Sequence, residues 1–192
     1  MDILDAKRTM RARMRAVMQV MPRDEKRRLD AALRQSLMQH PWMREADTIL
    51  CYCSTELEPD TRWLPGWAME RGRQAAFPVC TGQGEMRFCL LRTETDVRLG
   101  RYGIPEPIGR KEPAITEKTV CLVPGYAFSA DGRRLGKGGG YYDRFLSRHP
   151  GLRTIGLTYE KLLQEDIPCE SHDIIVDAVV TDRRNTAMHE TA

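Results

Sequence analysis

The sequence predicts an α/β fold: a three-layer domain with a mostly parallel central sheet flanked by helices, and a helical hairpin at its N-terminus. Three observations predict it. Apolar residues recur at helical spacing from Asp5 to Gln39, short β-branched runs follow, and helix signals separate most of those runs. The 192 residues suit one domain over 1–185, since a fold of this size buries about two thirds of its unfolded surface. A polar, flexible tail is expected at 186–192.

The elements follow in order. Ala6, Met10, Met14, Val17, Met18 and Met21 step by three and four residues, the pattern of an amphipathic helix with a basic opposite face. Pro22 interrupts it, and a second helix is predicted to about Gln39, with Leu29, Leu33 and Leu37 or Met38 on one side; Pro41 closes it. Strands are predicted at Thr48–Cys53, Gln74–Cys80, Met86–Leu91, Thr119–Val123, Thr154–Thr158 and Ile174–Val180. Between the first two, Thr61 is placed to cap a helix through Arg71, with Pro65 in its early turns and Gly72 at the left-handed position after its end. A helix should start near Gly140 and end before Pro150, and a short one should cover Tyr159–Glu165. Arg183–Ala192 reads as a frayed polar end. Ligands of parallel sheets collect at the carboxyl ends of strands, so the loops after 53, 123 and 158 are the places to look for a site.

Composition removes several function classes. With 30 Lys+Arg against 27 Asp+Glu the net charge is +3, too even for the whole molecule to act as a polyelectrolyte partner of nucleic acid. No window approaches the ~18 apolar residues of a membrane-spanning helix. Asp2, Asp5 and the bases from Lys7 to Arg15 break up any secretory h-region, and the two acids count against a mitochondrial presequence, so a cytoplasmic protein is expected. The 6 cysteines contain no Cys-x-x-Cys pair, and His40, His149, His172 and His189 are scattered; these read as buried thiols rather than a disulfide framework or a zinc site.

Chemistry concentrates in residues 133–146, where Gly136, Gly138, Gly139 and Gly140 lie beside Arg134, Lys137, Asp143 and Arg144. Glycine lets backbone N–H groups converge closely on an anion, and the start of a helix adds a positive dipole end, so the segment reads as a phosphate cradle. It is neither a Walker A loop nor a Rossmann fingerprint: Gly132 and Gly136 enclose three residues, and Lys137 is followed by Gly138 rather than Ser or Thr. A flexible surface turn is the bland alternative. Asp143 suits either a magnesium ligand or a first-turn helix acid. Asp173 suits the same site or a turn cap. The bases at 7–15 suit a solvated helix face or a nucleic-acid contact.

ArgLeuGlyLysGlyGlyGlyTyrTyrAspArgPheLeu at 134–146 resembles the signature of the 5-formyltetrahydrofolate cyclo-ligase family, also called methenyltetrahydrofolate synthetase. LysArgThrMetArg at 7–11, GluProAspThr at 58–61, LeuValProGlyTyrAlaPhe at 122–128 and ProCysGluSerHisAsp at 168–173 are similar to further family landmarks, in the same order and over nearly the whole chain. The resemblance implies ATP- and magnesium-dependent closure of 5-formyltetrahydrofolate to 5,10-methenyltetrahydrofolate, with release of ADP and phosphate. It further implies that ATP is bound by Lys7, Arg8, Thr9, Met10, Arg11 and by Arg134, Leu135, Gly136, Lys137, Gly138, Gly139, Gly140, Tyr141 and Tyr142. Folate would meet Arg11, Cys53, Glu58, Lys137, Gly138, Gly139, Gly140 and Tyr141. Asp143 and Asp173 would hold Mg2+, and Arg134 and Lys137 would act in catalysis. Glu56, Leu57 and Pro59 depart from the family pattern and point to a differently shaped pocket wall. The expected partners are the small-molecule folate and ATP, with no nucleic acid and no membrane, and a monomer is expected. A non-catalytic anion-binding module and a nucleic-acid binder using the first helix are the readings from other classes.

Overall fold

A computed structural model describes residues 2–91, 96–100 and 103–187. Helix α1 (Ile3–Gln19) and helix α2 (Arg23–Gln39) are joined by a short turn at Pro22, as the periodicity predicts. Pro41 ends α2 but also starts α3 (Pro41–Glu45), which was not foreseen. A proline needs no N–H in the first turn, and the His40 ring accepts a hydrogen bond from the Trp42 amide at 3.2 Å, capping the new helix.

Strand β1 (Thr48–Leu50) leads through helix α4 (Leu64–Met69) to strand β2 (Gln74–Gly82), which turns back as β3 (Glu85–Leu90). The hairpin β4 (Val97–Leu99) with β5 (Pro105–Pro107) follows, then β6 (Thr119–Val123), the small hairpin β7 (Ala127–Phe128) with β8 (Arg134–Leu135), and helix α5 (Tyr141–Ser147). Strand β9 (Arg153–Leu157), a 3-10 turn at Glu160–Leu162, β10 (Ala178–Val180) and β11 (Asn185–Ala187) complete the described chain.

The main sheet has 7 strands in the order β11-β10-β9-β6-β1-β2-β3. Its five central strands are parallel, while β3 and β11 add antiparallel edges. Strand alternation sends Ile49, Ala75, Val120, Leu122, Ile155 and Val180 into one apolar cluster with residues of α1 to α4, and Leu50, Ala76, Cys121, Val123 and Val179 into a second with Phe145 and Leu146 of α5. The molecule is therefore three-layered: helices on both faces of a sheet. Among the described residues no helix is long and apolar enough to cross a membrane.

Several sequence expectations are corrected. The run at 48–53 leaves the sheet after Leu50, because beyond Cys51 its groups bond to the following loop; Tyr52 O accepts from the Thr61 hydroxyl at 2.6 Å. That bond also takes Thr61 away from capping, so the helix starts at Leu64, with Pro65 in its first turn and Gly72 at φ +67° after its end. In the run at 174–180 only Ala178–Val180 pairs with β9. The Ile174 amide donates to Asp143, the Val176 amide to Gly132 O, and Asp177 bonds with Thr154. Residues 183–187 are not a frayed end: β11 pairs with β10, and the Asn185 amide group donates to Ser36 O at 3.1 Å. The remainder of the expected tail, 188–192, lies outside the described residues.

His40 carries a pH prediction. Burial holds its pKa at about 4 against an ordinary 6.5, so the folded protein keeps it neutral, while the unfolded chain protonates first. Stability is therefore complete above pH 6.5 and falls as pH drops toward 4, by on the order of 3 kcal/mol when fully expressed. Urea unfolding at stepped pH is expected to show this slope before carboxylates titrate, and His40→Asn, which keeps a capping acceptor, should flatten it.

Candidate active site

Loops at the carboxyl ends of β1, β6 and β9 meet at a cleft lined by Met18 of α1, Leu57, Glu58 and Pro59 after β1, Gly125 and Tyr126 after β6, and Leu157, Thr158 and Tyr159 of β9 and its loop. These are the three loops singled out from the strand pattern. The glycine segment between β8 and α5 lies against the same place.

Its backbone is shaped by arginines. Arg11 Nε donates to Gly136 O at 2.8 Å, Arg144 donates to Gly139 O and, at 2.7 Å, to Gly84 O, and the Arg144 amide donates to Gly140 O. With those carbonyls turned onto protein donors, none of the amides of Lys137 to Gly140 donates a hydrogen bond among the described residues. Gly138 sits at φ +93° and Gly140 at φ +64°, where a side chain is strained, and a Cβ on Gly140 would lie 2.7 Å from Arg144 Nη1. Four amides without an acceptor among the described residues, on a bend with two left-handed glycines, have the form of backbone suited to an anion. Helix α5 has only 7 residues, so local amides rather than a long helix dipole supply the positive end.

Around this bend three bases make four contacts with carboxylates. Lys137 Nζ lies 2.8 Å from Glu58 Oε1, and the other Glu58 oxygen accepts from the Thr55 amide and hydroxyl, both at 2.8 Å. The Glu58 side chain is 5% exposed and that of Lys137 is 40%, so a buried acid is met by a half-exposed base at the cleft edge. Arg134 Nη2 lies 2.6 Å from Asp143 Oδ1, and Arg134 Nη1 donates to Pro124 O. Lys7 Nζ bridges Asp173 Oδ2 at 2.5 Å and Glu170 Oε2 at 2.7 Å, with its side chain 7% exposed. Burial pulls the Lys7 ammonium down, but hydrogen bonds and charges of Asp173 and Glu170 outweigh it and leave its pKa raised. Burial likewise pushes the Asp173 carboxyl up, and the Glu170 amide with Lys7 brings it below the ordinary range.

The structure brings most of the expected residues together, though not all through their side chains. On a helix Lys7 and Arg11 share one face, while Arg8 and Thr9 point outward and Arg8 pairs with Asp5 at 2.9 Å; Met10 packs on the core. Leu135 is buried in the core, so only its backbone can face a ligand. Tyr141 reaches back to Gly82 O at 3.4 Å, whereas the Tyr142 ring packs edge-on against Phe88 with its hydroxyl buried and without a partner among the described residues. Cys53 donates to Pro105 O at 3.1 Å, and burial with the charges of Glu106 and Glu58 pushes its thiol up to about 12. The raised pKa keeps the thiol neutral near pH 7.

Asp143 and Asp173 are neighbours, because the Ile174 amide donates to Asp143 Oδ1 at 3.2 Å. Asp143 accepts its bonds on Oδ1 and Asp173 on Oδ2, which leaves one carboxylate oxygen of each for a hard cation. Magnesium takes one or two carboxylates together with phosphate oxygens and water, and these two acids supply that number; among the described residues no group of three or more His, Cys, Asp or Glu is placed to hold a metal ion. Sequence reading missed Arg144, whose bonds shape the cradle, and Glu170, the second partner of Lys7. Both lay inside motifs already singled out, but their roles depend on contacts across the fold, to Gly84 and to α1.

Residues 3–182 match the 5-formyltetrahydrofolate cyclo-ligase family. The 5-formyltetrahydrofolate cyclo-ligase of Escherichia coli K12 is 30% identical over 151 residues, covering 76% of this chain and 83% of that protein. The probable 5-formyltetrahydrofolate cyclo-ligase of Caenorhabditis elegans is 26% identical and covers 93% of each chain. The solution structure of Aquifex aeolicus 5,10-methenyltetrahydrofolate synthetase superposes with a TM-score of 0.82 at 27% identity, over 97% of this chain and 94% of that one. By motif order, family match and fold together, the chain belongs to the 5-formyltetrahydrofolate cyclo-ligase family.

Proposed function

We propose that this enzyme closes 5-formyltetrahydrofolate to 5,10-methenyltetrahydrofolate with ATP and magnesium, releasing ADP and phosphate, and that it does so in the cytoplasm. The observation that carries this reading is the Lys137–Glu58 contact at 2.8 Å. Lys137 of the glycine segment meets Glu58, a buried carboxylate of the adjoining cleft, which supports a reading in which a phosphoryl donor and a ligand with hydrogen-bond donors would lie side by side.

A formamide oxygen is a poor leaving group, which is the chemical reason to use ATP. The formyl oxygen attacks the γ-phosphorus, the bond from that phosphorus to the bridging oxygen breaks, and ADP departs. The N5–carbon unit becomes an iminium phosphate. N10 then bonds to the formyl carbon and loses its proton, the carbon–oxygen bond breaks, and phosphate leaves. Phosphoryl transfer asks a protein chiefly for in-line placement and for charge stabilisation on the equatorial oxygens. The amides of Lys137 to Gly140, with Lys137 and Arg134, are the groups suited to that work. Glu58 is suited to accept hydrogen bonds from the donor edge of the pterin. Asp143 and Asp173 would hold magnesium, which neutralises phosphate charge when bound. Lys7 and Arg134 would then exchange carboxylate partners for phosphate oxygens. Pro59 and Leu57 line the cleft and form the wall in which this chain departs from the family pattern.

The direct test is to mix the protein with ATP, magnesium and 5-formyltetrahydrofolate and follow the methenyl absorbance. Growth of the signal is expected, and none at all would favour a non-catalytic anion-binding module. In the same assay Lys137→Ala should lower turnover by about tenfold or more, as expected for a group that acts on transferring charge. Unchanged turnover would remove Lys137 from the chemistry. Asp143→Asn should raise the magnesium concentration needed for half-maximal rate, and an unaltered titration would return Asp143 to the role of partner for Arg134 alone.

A further inference from the structure

We propose that Asp30, on α2, is a positioning residue for the folate pocket: it holds the segment carrying Glu58 against the end of β9. This rests on the cyclo-ligase reading above and assigns a role to a residue outside every motif of the site.

The Asp30 side chain is 17% exposed and gathers three elements. Its Oδ1 accepts from the Asp60 amide at 2.9 Å and from the Tyr159 hydroxyl at 2.6 Å, while Oδ2 lies 2.8 Å from Lys26 Nζ. One Oδ1 donor lines the cleft and the other is next to residues that do. Asp60 follows Glu58 and Pro59, and Tyr159, fully buried, lines the cleft with those two residues. The loop after β1 and the loop after β9 are thus tied through one oxygen of a helix from which, among the described residues, none lines the cleft.

The tie reaches Glu58 through a short path. Trp63 Nε1 donates to Asp60 O at 2.9 Å and Tyr52 OH to Pro59 O at 3.2 Å, so the backbone on both sides of the Asp60 amide is fixed. Glu58 then meets the Thr55 amide and hydroxyl and Lys137. Removing the Asp30 carboxylate leaves the Asp60 amide and the Tyr159 hydroxyl without their acceptor, and buried donors in that state move toward water or other partners. The pocket wall carrying Glu58 and Pro59 shifts with them, whereas the glycine cradle, held by Arg11 and Arg144, stays in place. Asp30 touches no substrate in this scheme; it acts through the Glu58 segment.

Steady-state kinetics of the full chain and three variants, followed by methenyl absorbance, tests this. Asp30→Ala should raise KM for 5-formyltetrahydrofolate about tenfold, the effect of one lost buried hydrogen bond to a charged group, with kcat and KM for ATP within about twofold of the parent. Tyr159→Phe should raise the same KM by a smaller factor, and Asp30→Asn, which keeps an acceptor oxygen, should restore most of the loss. An unchanged folate KM in Asp30→Ala overturns the proposal, as does an equal rise in both KM values or a fall in kcat alone. If Asp30→Ala does not fold, an unchanged folate KM in Tyr159→Phe overturns it. A parent chain that forms no methenyl product removes the reaction itself; an active parent with unmoved variants removes only the role of Asp30.

Discussion

The structure depends on how charges are kept in balance around the glycine bend. Bases and acids gather there together, and both kinds are costly to bury alone. Three bases are matched with acids, Lys7 with Asp173 and Glu170, Arg134 with Asp143 and Lys137 with Glu58, while Arg11 and Arg144 are held on backbone carbonyls. Removing one partner of such a pair leaves an uncompensated charge, which costs most where the group left behind is buried, as Glu58 is, and least where it is exposed, as Lys137 is. The pairs also prepare the chemistry proposed for the site, because phosphate oxygens can replace carboxylates on the bases and magnesium can replace bases on the acids.

The fold serves that balance by bringing distant segments to one end of a sheet. Lys7 and Arg11 come from the first helix, Glu58 from the loop after β1, Arg134 and Lys137 from either side of the end of β8, and Asp173 from the approach to β10. Parallel strands force each connection back over a face of the sheet, so their carboxyl ends open on the same side. The glycine bend can then sit among them with its carbonyls held by Arg11 and Arg144, and with amides free to meet an anion. The Arg144 guanidinium fills the space that a Cβ on Gly84 or Gly140 would need, so the bend and the β2–β3 turn support each other.

Much of this was legible in the chain. The periodicity of α1 and α2, the apolar runs of β2, β6 and β9 and the signals around Gly72 and Gly140 are local, and local order survives folding. The site residues were reached through ordered motifs: the glycine segment, Glu58 and the acids at 143 and 173. What was misjudged has a common cause. The ends of the runs at 48–53 and 174–180 are decided by partners elsewhere, as when Asp143 takes the Ile174 amide and Gly132 O takes that of Val176. Likewise β11 exists because β10 offers an edge, and a polar run has no signature of that in itself.

By itself the sequence determined the α/β class, the helices that open the chain and the glycine segment with its neighbouring charges, because side-chain spacing and backbone freedom are properties of adjacent residues. Only the tertiary structure decided which acid faces which base, that Lys7 and Arg11 rather than Arg8 and Thr9 turn inward, and that Asp30 ties two loops of the pocket together. Those outcomes rest on contacts between segments brought together by the fold, Lys7 with Asp173 and Asp30 with Tyr159 among them, which close only when the sheet has assembled.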